Sequence, residues 1–230
     1  MAKHRIDIRG VMIPNDYKYY YDYFKEDSTC PRDVRAVVDQ IVPGDEVEVY
    51  INSPGGVIDV GSEIYTMLRG CQGVKIYITG EACSAASIVA MAGHCEMSPT
   101  SLMMVHCVSS GVSGNHSDME HMAEVLRTAD RALCTAYTEK TGLTEAEVLE
   151  MMEKETWLTA EQALEKKLID GIMFQEKENM PLVAGPLFAL PTKEQMEKIK
   201  KMVKQEEDQS DSSCLLQAQM RFLNLKGEQR

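Results

Sequence analysis

Positive charge is scarce in this 230-residue chain: 24 Lys and Arg stand against 36 Asp and Glu, a formal net charge of −12. A pI near 4.9 argues against a protein that binds and neutralises a nucleic-acid backbone. No apolar run approaches the ~20 residues that a membrane-spanning helix needs. The first residues, Met1-Ala2-Lys3-His4-Arg5-Ile6-Asp7, lack the charged-then-apolar pattern of a signal peptide, so a cytoplasmic protein is expected. No C-x-x-C pair occurs, and the seven cysteines are an odd number scattered along the chain. That distribution speaks for reduced thiols and against a disulfide framework. Cys83, Cys95 and Cys107 are evenly spaced but match no zinc-ligand pattern. Neither a G-x-x-x-x-G-K-S/T loop nor a G-x-G-x-x-G fingerprint is present. No metal and no cofactor are therefore expected.

Aromatic residues are also few, at 6%, and most of the tyrosines are concentrated in Tyr17-Lys18-Tyr19-Tyr20-Tyr21-Asp22-Tyr23-Phe24. With acidic neighbours and no basic stripe, this stretch reads as a packing or subunit surface and not as a base-stacking platform. What the chain does have is a hydrophobic content of 44%, enough for the core of one medium domain plus a tail.

The chemistry is concentrated in Gly80-Glu81-Ala82-Cys83-Ser84-Ala85-Ala86-Ser87. It follows an apolar, β-branched run, Val74 to Thr79, which predicts a buried strand. It opens an Ala-rich apolar run, Ser84 to Gly93, which predicts a helix. A serine at such a turn can stand its hydroxyl clear of the sheet. The first helical turn supplies unpaired N–H groups that can hold the oxyanion formed when the serine attacks a carbonyl. Ser84 can also be read as a plain helix cap.

Two other stretches decide between these readings. Glu46 to Ile51 predicts a strand, Asn52-Ser53-Pro54-Gly55-Gly56 a turn, and Ile58, Ile64, Met67 and Leu68 the apolar face of a helix. Strand–turn–helix therefore occurs twice in succession, which implies parallel strands with right-handed crossovers. Binding sites in such sheets lie beyond the C-terminal strand ends, which puts the Gly55-Gly56 and Ser84 turns at one edge. A glycine pair lets the backbone approach a ligand and point N–H groups at it. Ser101 to His106 predicts a further short strand ending in His106, a candidate general base for Ser84.

Around these, Arg5 to Ile13 predicts a first strand. A helix beginning at Cys30 carries Val34, Val37, Val38 and Ile41 on one face. Glu96 to Pro99 reads as a turn, and Val108 to His116, rich in Ser and Gly, as a mobile loop. Asp118 to Lys140 is the longest helical pattern. His116 and His121, five apart, do not fit a two-histidine metal motif and read as solvent-facing. Thr144 and Glu147 fit a capping box for the next helix, and Glu153 to Leu158 reads as a solvated charge run. Thr159 caps a short helix, and Leu168 to Met173 closes the unit as a strand or turn. A Pro/Gly-punctuated linker at 181–191 follows. Beyond it come an amphipathic helix at 192–205, an acidic flexible stretch at 206–213 and a second amphipathic helix at 214–225. The expected division is a catalytic unit over 1–178 and a helical, partly flexible extension over 179–230.

Four stretches together resemble the Clp protease proteolytic subunit: Ile51-Asn52-Ser53-Pro54-Gly55-Gly56, Gly80-Glu81-Ala82-Cys83-Ser84, Met103-Met104-Val105-His106 and Trp157-Leu158-Thr159-Ala160-Glu161-Gln162-Ala163. They keep that family's order and nearly its spacing, over about Ile6 to Met173. The resemblance implies an α/β fold of stacked, crotonase-like β-α units with parallel strands. It implies a serine endopeptidase acting on polypeptides within a homo-oligomer, a heptameric ring or double ring that an AAA+ ATPase usually feeds. On it, Ser84 is the nucleophile, His106 the general base, and Gly55, Gly56 and Ala85 the oxyanion and substrate-binding backbone. Asp118 to Lys140 matches the long helix through which rings meet.

Two departures stand out. The family's third triad residue is an Asp two positions before the aromatic-Leu-Ser/Thr-Ala run, and here that position is Glu155, with Glu153 and Glu150 the other carboxylates in reach. The Tyr-rich stretch and the C-terminal extension are more like those of phage-encoded, head-maturation members. The alternatives are a weak or inactive Clp-like assembly protein and a crotonase-like acyl-CoA enzyme.

Overall fold

The computed structural model describes residues 2–175 and, beyond them, helical backbone at 194, 196–198, 200 and 201. The remaining expectations for the linker and the C-terminal helices lie outside the described residues. The chain divides into two units, Met1–Glu176 and Lys177–Arg230.

Four strands form the centre of the first unit: β1 (Lys3–Met12), β2 (Ser28–Thr29), β3 (Glu46–Gly56) and β4 (Val74–Cys83). They are joined by β5 (His94–Met97), β6 (Leu102–Val105), β7 (Thr156–Leu158) and β8 (Gly171–Ile172). The order is β2-β1-β3-β4-β5-β8, every pair parallel. The helices are α1 (Lys18–Phe24), α2 (Pro31–Val38), α3 (Ile58–Arg69), α4 (Ala85–Ala90), α5 (His116–Thr141), α6 (Glu145–Glu153) and α7 (Ala160–Glu165). This is the expected α/β architecture of successive β-α units.

Period-two alternation in the central strands puts Ile6, Ile8, Val47, Val49, Ile51, Ile76 and Ile78 on one face, all buried. That face is packed against α3 and α4, which contribute Ile64, Leu68, Ala86 and Val89. Burying each aliphatic side chain of this size is worth about 1.5–3 kcal/mol, so the sheet and these two helices are held together strongly.

Long β4 does more than its sequence suggests. Lys75 to Ile78 pair with β5, whereas Glu81 to Cys83 pair with β6. The strand thus leaves one neighbour for another, and β6 in turn pairs antiparallel with β7. The segments expected to be turns, Asn52–Gly56 and Gly80–Cys83, are therefore strand backbone. The reason lies outside each segment: Ser53 pairs with Ala82, Gly56 with Met12, and Glu81 with Leu102.

Two further expectations are corrected. Glu96 and Met97, expected to open a turn, belong instead to β5, with Cys95 and Met97 buried beside β4. The charge run ending at Leu158 contains β7, because β6 needs a partner on its free edge.

Helix α5 begins at an Asn115 capping box and stops at Gly142, whose φ of 75° places it in the left-handed region. Only its C-terminal half is buried, through Asp130, Cys134, Ala136, Tyr137 and Thr141. Met119 and Val125 in its first half are exposed, as are His116 and His121. The expected caps at Thr144 and Thr159 both form, each with its reciprocal partner, Glu147 and Gln162. The Tyr-rich stretch folds as α1, with Tyr19, Tyr20, Tyr23 and Phe24 exposed. Among the described residues no helix is long and apolar enough to cross a membrane.

Candidate active site

β4 ends at Cys83, α4 starts at Ala85, and Ser84 is the single residue between them. Its φ of 54° and ψ of −125° lie outside the regions open to ordinary L-residues. Strain of this kind costs about 1–3 kcal/mol and persists only where the surroundings over-determine it. Here the backbone bonds do so. Ser84 N–H donates to the Met104 carbonyl of β6 at 2.9 Å, and the Ser84 carbonyl accepts from Ser87 N–H at 2.9 Å. The side chain is left free, and its hydroxyl meets His106 Nε2 at 2.8 Å. His106 comes from the residue just after β6, and β6 is hydrogen-bonded to the end of β4. One local pairing therefore sets both members of the dyad.

Gly55 and Gly56, with φ of 92° and 153°, pass directly beneath this turn. A side chain at Gly55 would put a Cβ 2.5 Å from the Cys83 carbonyl oxygen and 2.8 Å from Ser84 Cβ. At Gly56 it would meet the Met12 carbonyl at 2.2 Å. The two glycines differ in what their N–H groups do. Gly55 N–H donates to Ser53 Oγ at 3.1 Å, and Ser53 Oγ–H donates on to the Gly10 carbonyl. Gly55 is thus a spacer and not a free donor. Val57 N–H donates to the Met12 carbonyl of β1. Because N–H groups alternate sides along a strand, Gly56 N–H is directed away from β1. Ala85, at the first helical position, has no intrahelical acceptor for its N–H.

Gly56, Ser84, Ala85, His106, Leu133 and Met152 line a cavity of about 90 Å³. Gly56, Ile58, Val108 and Ser109 also line a second, open groove of about 780 Å³, whose walls carry Tyr17 and Tyr21 on one side and Met122 and Leu126 on the other. Sequence reasoning missed the part Tyr17, Tyr21 and α5 play beside the site, since nothing local links residue 21 to residue 126.

A cysteine nucleophile is disfavoured by the electrostatics. Burial, reinforced by Glu81, pushes the Cys83 thiol up to about 12. Burial and the neighbouring Asp130 push Cys107 up to about 11. Both stay protonated at neutral pH, and only the thiolate is an effective nucleophile. Asp130 itself is buried and accepts from Val108 N–H at 2.7 Å, which anchors the segment after His106.

The carboxylates fall less neatly. No carboxylate among the described residues reaches His106 within hydrogen-bonding distance. Glu155 immediately precedes β7 and His106 immediately follows β6, and the last paired residues of these two strands are Val105 and Thr156. The Glu155 side chain, however, is exposed and accepts from Trp157 Nε1 at 3.3 Å. Glu155 itself is left-handed, with φ of 48°. Glu150 is paired with Lys154, and Glu153 is exposed. Among the described residues no cluster of three or more His, Cys, Asp or Glu side chains is arranged as a metal site.

A Gly55→Ala variant tests the close approach. The added methyl has backbone on every side and the wrong φ, so the Ser84 turn must shift. We expect kcat/KM for peptide hydrolysis to fall by about 100-fold, the penalty for misplacing a reacting group by about 1 Å. Wild-type kinetics in a folded Gly55→Ala protein would show that the turn does not depend on this contact.

The family model for Clp protease matches residues 35–176. The chain is 33% identical over 141 residues to the ATP-dependent Clp protease proteolytic subunit 2 of Chlamydia pneumoniae, covering 59% of this chain and 69% of that protein. It is 35% identical over 148 residues to the ATP-dependent Clp protease proteolytic subunit of Deinococcus radiodurans, covering 62% and 72%. The matched span runs from α2 to the end of the first unit and includes the glycine pair, the strained serine and the histidine, and the protein belongs to the Clp protease family.

Proposed function

We propose that this protein is a serine endopeptidase in which Ser84 is the nucleophile and His106 its general base. The observation that carries this reading is the 2.8 Å contact between Ser84 Oγ and His106 Nε2 at a strained strand-to-helix turn. In the acylation step Ser84 Oγ attacks the scissile carbonyl and gives its proton to His106 Nε2. The developing oxyanion accepts from Gly56 and Ala85 N–H, and His106 then delivers the proton to the departing amine. Gly55 supports the site by allowing the backbone to pass under Ser84. Serine-directed fluorophosphonate labelling tests the assignment: the folded protein should label, and Ser84→Ala should not.

Glu155 is the proposed orienting acid, supported by its position just before β7, the strand paired with the β6 that His106 follows. For this its carboxylate must leave Trp157 Nε1 and turn to His106 Nδ1. Glu155→Gln should therefore slow turnover by about 10- to 100-fold, less than the roughly 10⁴-fold loss typical of a fully engaged triad acid. Glu153→Gln should stay near wild type. Equal rates in the two variants would show that the acid is another residue.

The substrate class is polypeptide, for which the groove running on from the nucleophile offers an extended path. The assembly is a homo-oligomeric ring, supported by the first half of α5, where Met119 and Val125 remain exposed. The catalytic unit is taken as 1–178, with 179–230 as its extension. The relatives' names carry ATP dependence, and an AAA+ ATPase partner is the corresponding expectation for this chain. The Tyr-rich α1 and the C-terminal extension favour a specialised setting such as phage head maturation in the cytoplasm of a host. A second reading, a catalytically weak assembly protein, is favoured by one observation, the lack of a carboxylate on His106 among the described residues. An unlabelled folded oligomer would support it. An acyl-CoA enzyme of the same fold has no use for the Ser84–His106 contact.

A further inference from the structure

Behind the nucleophile, three hydroxyl-bearing residues form a chain that none of the steps above uses. Ser87 Oγ lies 2.6 Å from the Ser84 backbone carbonyl and 2.7 Å from the Tyr137 hydroxyl. Ser87 has one hydroxyl proton and donates it to that carbonyl, which accepts only. Tyr137 must therefore be the donor to Ser87 Oγ. Ser87 is wholly buried, and Tyr137 is 2% exposed in the packed half of α5. Burial raises the Tyr137 phenol above its ordinary value, so it keeps its proton at any working pH. The carbonyl at the end of this chain belongs to Ser84, whose backbone is strained and whose side chain is the proposed nucleophile.

We propose that Tyr137 and Ser87 are positioning residues that latch the strained Ser84 turn to helix α5. The inference rests on Ser84 being the nucleophile. A hydroxyl of serine bonding back to a carbonyl one turn earlier is common in helices. What is specific here is that the serine is itself clamped from a second element, 50 residues away in the chain. A buried hydrogen-bond chain strengthens each of its members, and the strained conformation needs such over-determination. The latch also makes the setting of the nucleophile depend on where α5 sits. The exposed first half of the same helix is the part a neighbouring subunit would contact, so association and nucleophile geometry share one rigid element.

Single-hydroxyl deletions test the latch. Ser87→Ala and Tyr137→Phe should each lower kcat and the rate of fluorophosphonate labelling by about tenfold, with KM within twofold. Because Tyr137 acts through Ser87, the double variant should be no slower than Ser87→Ala alone. A structural role without positioning predicts lower melting temperatures at unchanged kcat. That result, or multiplicative losses in the double variant, would overturn the proposal. The wild type separates this from the assignment of Ser84: an unreactive wild type counts against the nucleophile and not against the latch. The latch is then read from hydrogen exchange. Ser87 and Ile88 N–H both donate to the Ser84 carbonyl. Their exchange should quicken by about tenfold in either variant, and unchanged exchange would overturn the latch whatever the activity.

Discussion

Ser84→Ala should lower peptide cleavage by about 10⁴- to 10⁶-fold, the range seen when the nucleophile of a serine-protease triad is removed, while the protein folds as before. The structure separates the two outcomes cleanly. Ser84 Oγ has one partner, His106 Nε2. The bonds that hold the turn run through its backbone N–H and carbonyl, to Met104 and from Ser87. Alanine at φ 54° bears the same left-handed penalty that serine already bears, so the substitution adds no strain of its own. Glycine at this position would behave differently: it would relax the turn as well as remove the hydroxyl. Peptide hydrolysis and a thermal melt on the same sample measure both properties. Retained cleavage would mean that another group attacks the carbonyl, and the protonated thiols of Cys83 and Cys107 are poor substitutes.

The second large effect is expected at His106. A glutamine there can still hydrogen-bond the serine hydroxyl but cannot take its proton. His106→Gln should therefore reduce kcat by about 10³- to 10⁵-fold with KM nearly unchanged, since the lost interaction belongs to the transition state. The double variant Ser84→Ala/His106→Gln should be no slower than Ser84→Ala, because residues acting as one unit are not additive. A fall of less than tenfold for His106→Gln would show that the imidazole is not the base. Its 2.8 Å contact with Ser84 would then be a structural hydrogen bond.

Much of this site can be read in the sequence because it depends on small residues at fixed offsets. The glycine pair after Ser53-Pro54 and the small neighbours of Ser84 announce a backbone that must come close to something, and the structure supplies the contact, Gly55 against the Cys83–Ala85 backbone. His106 follows an apolar run whose period marks a strand. Capping boxes at Thr144 and Thr159 are equally local, since the cap and its partner are three residues apart. What was misjudged depends on a distant partner. Four residues at His94–Met97 become a strand because β4 offers an edge, and Thr156–Leu158 because β6 does. The carboxylate is a separate case. Spacing from the Trp157 run selects Glu155, whose side chain accepts from the indole of Trp157.

By itself, then, the order of residues determined the alternation of strands and helices, the glycine approach and the serine turn, since each is specified by steric and hydrogen-bonding rules acting within a few positions. Only the tertiary structure decided how β4 divides between β5 and β6, and hence how Ser84 meets His106. It alone decided that Gly55 is a spacer and Gly56 the outward amide, and that Tyr137 reaches back to the Ser84 turn through Ser87. Those outcomes depend on which edges and faces are left unpaired once the whole sheet has formed, a property that no short stretch of sequence carries.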